Sequence, residues 1–309
     1  MAEIIQKDGT WTFDGEALRL TPGRDRNVGL LRRTLGELTV PLDALAGVSF
    51  EQGRKTGRLR LRLRDGADPL LLATGGRLTE PHDPYQLLVE SDRYGVAEYF
   101  VDEVRSALLL EQVSPDPVTR YLLSGPSLPV SVAAGDGTAS FDGEQVRLEW
   151  NWKTEDAKAA GGARSLALAD ITAVEWVPAA GLENGCLRFT VRGAPTGTPP
   201  KYDPHAVELW GFKKDPLMAL VAAAVQARLP HPAASGGKPG EIRAADPGAA
   251  PEAAVVRAPE AGVPQQRAAA EDDHDALLRR LRELGELHRT GVLTDEEFTL
   301  AKQAVLKRM

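Results

Sequence analysis

An internal duplication constrains the fold of this chain more than any other feature of its sequence. The segment DGTWTFDGEALRL, residues 8–20, returns as DGTASFDGEQVRL, residues 136–148, with most positions identical and in register. Later in each copy, GRLRLRLR from Gly57 is answered by GCLRFTVR from Gly185. Self-similarity that keeps its order indicates a repeated structural unit. The sequence therefore predicts two copies of one domain.

The repeats set the domain boundaries. A chain of 309 residues is long enough for two domains of ordinary size. After the second copy the composition becomes rich in Ala, Gly and Pro, which cannot bury a core. The predicted organisation is a first repeat at 1–112, a connection at 113–131, a second repeat at 132–229, a disordered linker at 230–270 and a helical hairpin at 271–309.

Each repeat is predicted to have an α+β fold, with a small antiparallel β barrel or sheet closed by a C-terminal helix. Asp14-Gly15 and Asp142-Gly143 are strong hairpin signals between short strand-like segments. The alternation in GRLRLRLR places leucines on one face of a strand and arginines on the other. Several short strands followed by one helix resemble the pleckstrin-homology-like superfold, which implies an open barrel but no particular activity.

Apolar residues at helical spacing predict the closing helix of each repeat. In the second repeat, Asp215 is the predicted N-cap and Pro216 the first helical residue. The predicted apolar stripes are Ala97, Phe100, Val101, Val104 and Leu108 in the first repeat, and Leu217, Leu220, Val221 and Val225 in the second.

The connection between the repeats contains several prolines, which disfavour a continuing helix. Three apolar residues, Tyr121, Leu122 and Leu123, interrupt this segment. We expect them to pack between the repeats and to join the two domains into one rigid body.

Composition excludes several classes of protein. The formal net charge is -7 at pH 7, which argues against bulk binding to nucleic acid. The single cysteine, Cys186, lies in a strand-like apolar pattern and is predicted to be a core residue. No apolar run reaches the roughly 20 residues of a membrane-spanning helix. These features predict a soluble, cytoplasmic protein.

The C-terminal segment is predicted to form two helices. Gly291 suits the stop of the first helix, and Thr294 with Glu297 forms a capping box at the start of the second. A unit this small seldom buries enough surface to stand alone, so its apolar stripe is expected to bind a partner. The predicted interaction surface comprises Leu277, Leu281, Leu284, Leu287, Leu293, Phe298 and Leu306.

The same segment closely resembles the SHOCT domain, a short C-terminal domain of many bacterial proteins. The resemblance implies a module for oligomerisation or protein interaction, not an enzyme. The tandem DGTxxFDGE motif in turn resembles a bacterial family of unknown function that is typically duplicated and joined to such a tail. The residues that match the SHOCT pattern are Leu281, Leu284, Gly291, Val292, Leu293, Thr294, Glu296, Glu297, Phe298, Lys302 and Leu306.

Two sets of polar residues are candidate sites. One is an arginine ladder on a single strand face, which could bind an anionic headgroup through its guanidinium forks but is also typical of a solvated face paired with acids. The other is Asp83 and Asp203 with His82 and His205, which we interpret as turn residues because catalysis needs a converging partner. The arginine ladder comprises Arg58, Arg60, Arg62 and Arg64.

Three functions from different classes follow from the sequence. The leading expectation is a non-catalytic binding or scaffold protein that associates with itself or with another protein through the C-terminal hairpin. The alternative is a peripheral protein that binds anionic membrane headgroups weakly through its pleckstrin-homology-like domains. A hydrolase is the third, and it lacks a visible nucleophile and base. No cofactor, metal or nucleic acid is expected; the five histidines show no ligand spacing.

Overall fold

The computed structural model describes residues 1–235, which contain both repeats and belong to one compact unit. The predictions for the rest of the linker and for the hairpin at 271–309 lie outside the described residues. The described part is a mixed α+β structure with antiparallel strands, which confirms the predicted class.

The first repeat contains seven strands and three helices. They are β1 Ala2–Ile5, β2 Gly9–Phe13, β3 Ala17–Pro22, α1 Leu30–Leu35, β4 Leu38–Pro41, β5 Leu45–Glu51, β6 Thr56–Leu63, α2 Pro69–Thr74, β7 Gln86–Glu90 and α3 Tyr94–Leu110. The second repeat contains β8 Val130–Ala134, β9 Gly137–Phe141, β10 Gln145–Trp150, α4 Asp156–Ala159, β11 Arg164–Ala167, β12 Ile171–Val177, β13 Gly185–Val191, β14 Ala206–Leu209 and α5 Met218–Gln226.

The strands of each repeat form two separate sheets, which corrects the barrel alternative. A four-stranded sheet has the order β1-β2-β3-β4, or β11-β10-β9-β8 in the second repeat. A three-stranded sheet has the order β5-β6-β7 or β12-β13-β14. Single turns of 3-10 helix at Leu42–Ala44 and Leu168–Asp170 join the sheets. These turns redirect the chain, so the hydrogen-bond ladder of the first sheet ends there instead of continuing into a barrel.

The predicted alternation along β6 is confirmed. Leu59, Leu61 and Leu63 are buried, while the arginines between them point to the opposite face. The core of the first repeat closes against α3, whose Phe100 ring lies 6.4 Å from the ring of Trp11. Because Phe100 is on the helix and Trp11 is on β2, this contact ties the closing helix to the four-stranded sheet.

The hairpins at the repeated Asp-Gly pairs are also as predicted. Asp14 Oδ1 accepts hydrogen bonds from the backbone N–H groups of Glu16 and Ala17. Asp142 Oδ1 accepts the equivalent bonds from Glu144 and Gln145. Gly15 and Gly143 have φ of 108° and 116°, a backbone region that favours glycine. Both aspartates are therefore turn residues.

These hydrogen bonds predict a specific titration behaviour. Backbone donors hold the pKa of the Asp14 and Asp142 carboxyls below the ordinary value of 3.8, because they favour the charged form. A carboxyl group whose pKa is lower in the folded than in the unfolded protein stabilises the fold at pH values above the unfolded pKa. That stabilisation is lost as the pH falls through the folded pKa. Carboxyl-detected NMR titration should give both midpoints below 3.8. Asp14→Asn should remove only its own signal, and midpoints at or above 3.8 would contradict the assignment.

The two repeats share apolar packing through α2. Leu70 and Ala73 of this helix are buried in the cluster formed mainly by the second repeat, together with Leu31 and Leu78. The next residue, Leu71, packs against the cluster of the first repeat. One short helix therefore contributes to both cores.

Asp68 fixes α2 to the first repeat. Its side chain caps the helix by accepting hydrogen bonds from Leu70 and Leu71 N–H, and its Oδ2 also accepts a 2.7 Å bond from the Tyr85 hydroxyl. Burial raises the pKa of the Asp68 carboxyl. Because Tyr85 immediately precedes β7, this bond links the cap of α2 to the three-stranded sheet of its own repeat.

The helix α5 differs from its prediction in two ways. The prediction was an apolar stripe on one face of this helix. Every residue of Met218–Gln226 is instead buried, because α2 also packs against the helix. Asp215 is not an N-cap, since no side chain caps the turn that starts there. Its carboxylate instead turns back and accepts bonds from the N–H groups of Trp210, Gly211 and Phe212.

The connection between the repeats contacts both of them through Tyr121 and its neighbours. Tyr121 accepts a 2.7 Å hydrogen bond from Gln226 of α5, and its ring packs edge-on against His231. Leu122 and Leu123 pack with the core of the first repeat. At the same boundary, Arg77 pairs with Glu175 across 2.6 Å. The apolar part of the connection thus contacts both repeats.

Candidate functional site

Each repeat contains an ion pair built on the first aspartate of its repeated motif. In the first repeat, Asp8 accepts two bonds of 2.9 and 3.0 Å from Nη1 of Arg32, which lies on α1. Its Oδ2 also accepts a 3.0 Å bond from the N–H of Leu88 on β7. The side chains of Arg32 and Asp8 are only 6 % and 14 % exposed. Asp8 therefore links the turn after β1 both to α1 and to β7, the last strand of the other sheet.

The second repeat builds the same pair with a lysine. Lys158 Nζ, on α4, lies 2.6 Å from Asp136 Oδ2, and both side chains are almost fully buried. Asp136 Oδ1 accepts a 2.8 Å bond from Glu208 N–H on β14. The ammonium also lies 4.4 Å from the centroid of the Trp150 ring. Burial raises the pKa of the Asp136 carboxyl, and the Lys158 charge opposes that effect.

These two pairs, Asp8–Arg32 and Asp136–Lys158, are named here the motif ion pairs. The aspartates are visible in the sequence as identical positions of the repeat, but their partners were missed. Arg32 and Lys158 lie in short helices of unrelated sequence, LLRRTL and DAKA, so no shared pattern marks them. The two aspartates have equivalent contacts in the structure, and these contacts identify Arg32 and Lys158 as their partners.

An exposed cluster of aromatic and basic residues lies beside the motif ion pair of the second repeat. The Trp152 side chain is the most protruding member, with 80 % of its surface exposed. Lys153 Nζ lies 5.1 Å from the centroids of both Trp210 and Phe212 and 5.5 Å from that of Trp152. We call this cluster the aromatic–lysine surface, and it comprises Trp152, Lys153, Trp210, Phe212, Lys213 and Lys214.

Two hydrogen-bonded turns hold the aromatic–lysine surface in place. Asn151 Nδ2 donates to Gly135 O across 2.9 Å, which anchors the loop that carries Trp152. Asp215 Oδ2 accepts three backbone N–H bonds of 2.7 to 3.0 Å and so closes the loop from Trp210 to Phe212. The rings are thus presented from two ordered turns that meet over Lys153.

The first repeat shares the contacts to the motif aspartate but has different residues in the two loops. Gly23 N–H donates to Asp8 O, just as Asn151 N–H donates to Asp136 O, so these two positions correspond. Leu88 and Glu208 correspond because both donate to the motif aspartate. Counting from these anchors, the first repeat has Arg24, Asp25, Glu90 and Asp92 at the positions of Trp152, Lys153, Trp210 and Phe212. The fold therefore does not require aromatic residues at these positions.

The arginine ladder is only partly free for a ligand. Arg64 donates to the backbone carbonyls of Asp116 and Asp43, so its guanidinium holds the chain. Arg58 lies 3.4 Å from Glu80. Arg60 and Arg62 bond to Gln86 and to Ala46 O and remain exposed. This arrangement is that of a solvated strand face with neutral and acidic partners, and its role as an anion site stays a prediction.

The repeated Asp-Pro pairs form equivalent turns. Asp83 Oδ1 accepts from Tyr85 N–H, and Asp203 Oδ1 accepts from His205 N–H, each across 2.9 Å. Asp203 also pairs with Arg188 at 3.2 Å. Burial raises the pKa of Asp83 and lowers that of His82. These contacts are those of turn-forming residues.

A groove of about 760 Å³ lies where the two repeats meet. Leu72 of α2 forms one part of its lining, and the start of β12 with the end of α5 forms the rest. Arg192 and Arg228 contribute positive charge. Both repeats are needed to build this surface.

One predicted surface cannot be placed. The residues of the predicted hairpin surface, from Leu277 to Leu306, lie outside the described part of the chain. Within residues 1–235, no group of three His, Cys, Asp or Glu side chains is arranged to hold a metal ion. In the same range, no helix has the length and apolar character to cross a bilayer.

Comparison with known proteins identifies the repeat itself. A search of curated proteins finds no match to this chain. The family model described as "Domain of unknown function (DUF4429)" matches twice, over residues 11–105 and 139–226. The two matches coincide with the repeats, fall within the predicted boundaries 1–112 and 132–229, and together cover more than half of the chain. The chain therefore belongs to the DUF4429 family, as a tandem of two copies of that domain.

Proposed function

We propose that this protein is a non-catalytic binding protein that acts as a scaffold in the bacterial cytoplasm. The observation that supports this role best is the insertion of α2 into the core of the second repeat. It fixes the two domains relative to each other through the apolar residues of one helix. A pair of domains with a fixed geometry can present separate surfaces at constant spacing, which is what a scaffold requires.

The proposed fold relationship is with the pleckstrin-homology-like superfold. The antiparallel strands of each repeat, in a four-stranded and a three-stranded sheet followed by a C-terminal helix, support this relationship, although the sheets are separate. Such domains serve many purposes, so the relationship favours binding without specifying a ligand.

The proposed role of the C-terminal segment is to multimerise the scaffold. Its resemblance to the SHOCT domain and its leucine stripe support this role. The linker predicted from composition, about 40 residues long, would span roughly 35 Å by the square-root rule, which would allow tails of neighbouring copies to meet. Multimers convert weak single-site contacts into avidity because the second contact becomes intramolecular.

Light scattering behind a sizing column tests this proposal. The full chain should be a defined oligomer, and a chain ending at residue 235 should be a monomer. Leu281→Glu with Leu284→Glu should reproduce the monomer in the full chain, because charges cannot be buried in an apolar interface. Glu283→Gln, which also alters the same segment but spares the stripe, is the matched control and should stay oligomeric. A full chain that is monomeric at all concentrations would overturn the multimer role.

A further inference from the structure

The aromatic–lysine surface has no explanation in the fold or in the proposed scaffold role. At the corresponding positions the first repeat has Arg24, Asp25, Glu90 and Asp92, so the repeat fold forms without aromatic residues there. Among the residues described, Lys153, Lys213 and Lys214 form no ion pairs. An exposed apolar ring among unpaired cations marks a binding surface.

The chemistry of this surface fits an anionic bilayer. Tryptophan is enriched at membrane–water interfaces because its ring is apolar and its N–H is polar. Lysines beside it are attracted by the negative surface potential of anionic lipids. Neither property requires a deep pocket, and the described contacts place these side chains on exposed loops.

A neighbouring loop adds an aliphatic side chain. Leu182 is 60 % exposed at the tip of the turn between β12 and β13, which a pair of backbone bonds between Ala180 and Glu183 closes. A Cβ added to Gly211 would lie 3.5 Å from the Ala179 side chain, so this turn adjoins the loop of Trp210 and Phe212. An exposed leucine has no partner in base stacking but gains free energy from the acyl region of a bilayer. This favours lipid over nucleic acid.

We propose that the aromatic–lysine surface docks the second repeat on bilayers that contain anionic phospholipids. Trp152 and Leu182 enter the boundary between headgroups and acyl chains, and Lys213 and Lys214 contact the headgroup phosphates. The first repeat lacks this surface and does not dock. Docking in this form is independent of the multimer role, although a multimer would strengthen it.

Acidic residues on the same end of the repeat limit the affinity. Glu183 lies beside Leu182, and Glu208 accepts a 2.9 Å bond from Asn184. Asp156 is exposed at the start of α4. These carboxylates repel anionic lipid, so a single copy should bind weakly and should dissociate as salt rises.

The test is co-sedimentation of the full chain with vesicles of phosphatidylcholine, with and without phosphatidylglycerol. The wild-type protein should sediment with the anionic vesicles only. Lys213→Glu with Lys214→Glu should reduce the partition coefficient more than about tenfold, since each basic residue near an anionic surface contributes about fivefold. The matched control is Arg60→Glu with Arg62→Glu, which makes the same charge change on the first repeat. It should alter partitioning by less than about twofold.

Tryptophan fluorescence provides a second, independent measurement. Bromine-labelled acyl chains should quench the emission of the wild-type protein on anionic vesicles. Trp152→Phe should remove the largest share of that quenching, because Trp152 is the most exposed tryptophan, Trp150 and Trp210 are half-buried, and Trp11 and Trp176 are buried. Equal loss of binding in the Lys213/Lys214 and Arg60/Arg62 variants would overturn the assignment to the second repeat. Absence of wild-type binding to anionic vesicles would overturn lipid docking itself, whatever the oligomeric state.

Discussion

Lys158→Met should destabilise the protein by about 3–5 kcal/mol, because it leaves the buried Asp136 carboxylate without its partner. The two groups lie 2.6 Å apart, and neither has appreciable exposed surface. Methionine keeps the length of the side chain, so the loss reports charge more than packing. Chemical denaturation followed by circular dichroism measures the change in the free energy of unfolding.

The loss should depend on pH in a defined direction. Burial already holds the pKa of Asp136 above its ordinary value of 3.8, and loss of the Lys158 charge, which lowers it, raises it further. A carboxyl whose folded pKa exceeds the unfolded one stabilises the fold below the unfolded pKa, and this contribution is lost as pH rises through the folded pKa. The deficit of the variant relative to wild type should therefore grow from about pH 4 towards neutrality.

Two controls separate the ion pair from general effects. Asp136→Asn combined with Lys158→Met should recover part of the lost stability, because no charge then remains buried. Arg147→Met breaks the exposed pair with Glu149 and should cost less than about 1 kcal/mol. If the double variant were no more stable than Lys158→Met alone, the buried charge would not be the cause.

Leu70→Ala should cost about 2–4 kcal/mol and should loosen the second repeat, although Leu70 belongs to the first. Leu70 is 3 % exposed and lies in the cluster around α5. Truncation leaves a cavity between α2 and the second repeat that the surrounding helices fill only in part. Hydrogen exchange of the β13 amides should therefore accelerate more than that of the β2 amides.

The same helix supplies matched controls at successive positions. Leu71→Ala should instead loosen the first repeat, since Leu71 packs against that core. Leu72→Ala should be close to neutral, because Leu72 is 36 % exposed at the groove. Equal acceleration of β2 and β13 exchange in Leu70→Ala would mean that the two repeats unfold as one cooperative unit.

Local sequence patterns predicted the local structure of the repeats well. The Asp-Gly hairpins and the leucine alternation on β6 follow from turn chemistry and the two-residue period of a strand, which act over a few residues. These local patterns do not predict which elements pack together across long sequence distances. The run Leu70-Leu71-Leu72 is uniformly apolar, yet its members face one core, the other core and a groove. The prediction of Asp215 as an N-cap was wrong, because a carboxylate before a helix can also accept hydrogen bonds from N–H groups that precede it in the chain.

The candidate surface could have been found by reading the differences between the repeats. Trp152 and Trp210 lie far apart in sequence, so no local motif contains both. Each occupies a position that is charged in the first repeat, Arg24 or Glu90, and this replacement is visible once the motif aspartates are aligned. Identical positions of a duplication report the shared fold, whereas divergent ones report what each copy has acquired.

The position of α2 limits how many domains of this kind can be joined in a row. The helix lies between β6 and β7, and the corresponding segment of the second repeat, between β13 and β14, contains no helix among its described residues. The first domain thus contributes a helix that packs into the core of the second domain. The second domain contributes no equivalent helix to a domain that would follow it. Solenoid arrays grow because every unit has the same two faces. Here the faces differ, so the contact through α2 is complete with two units.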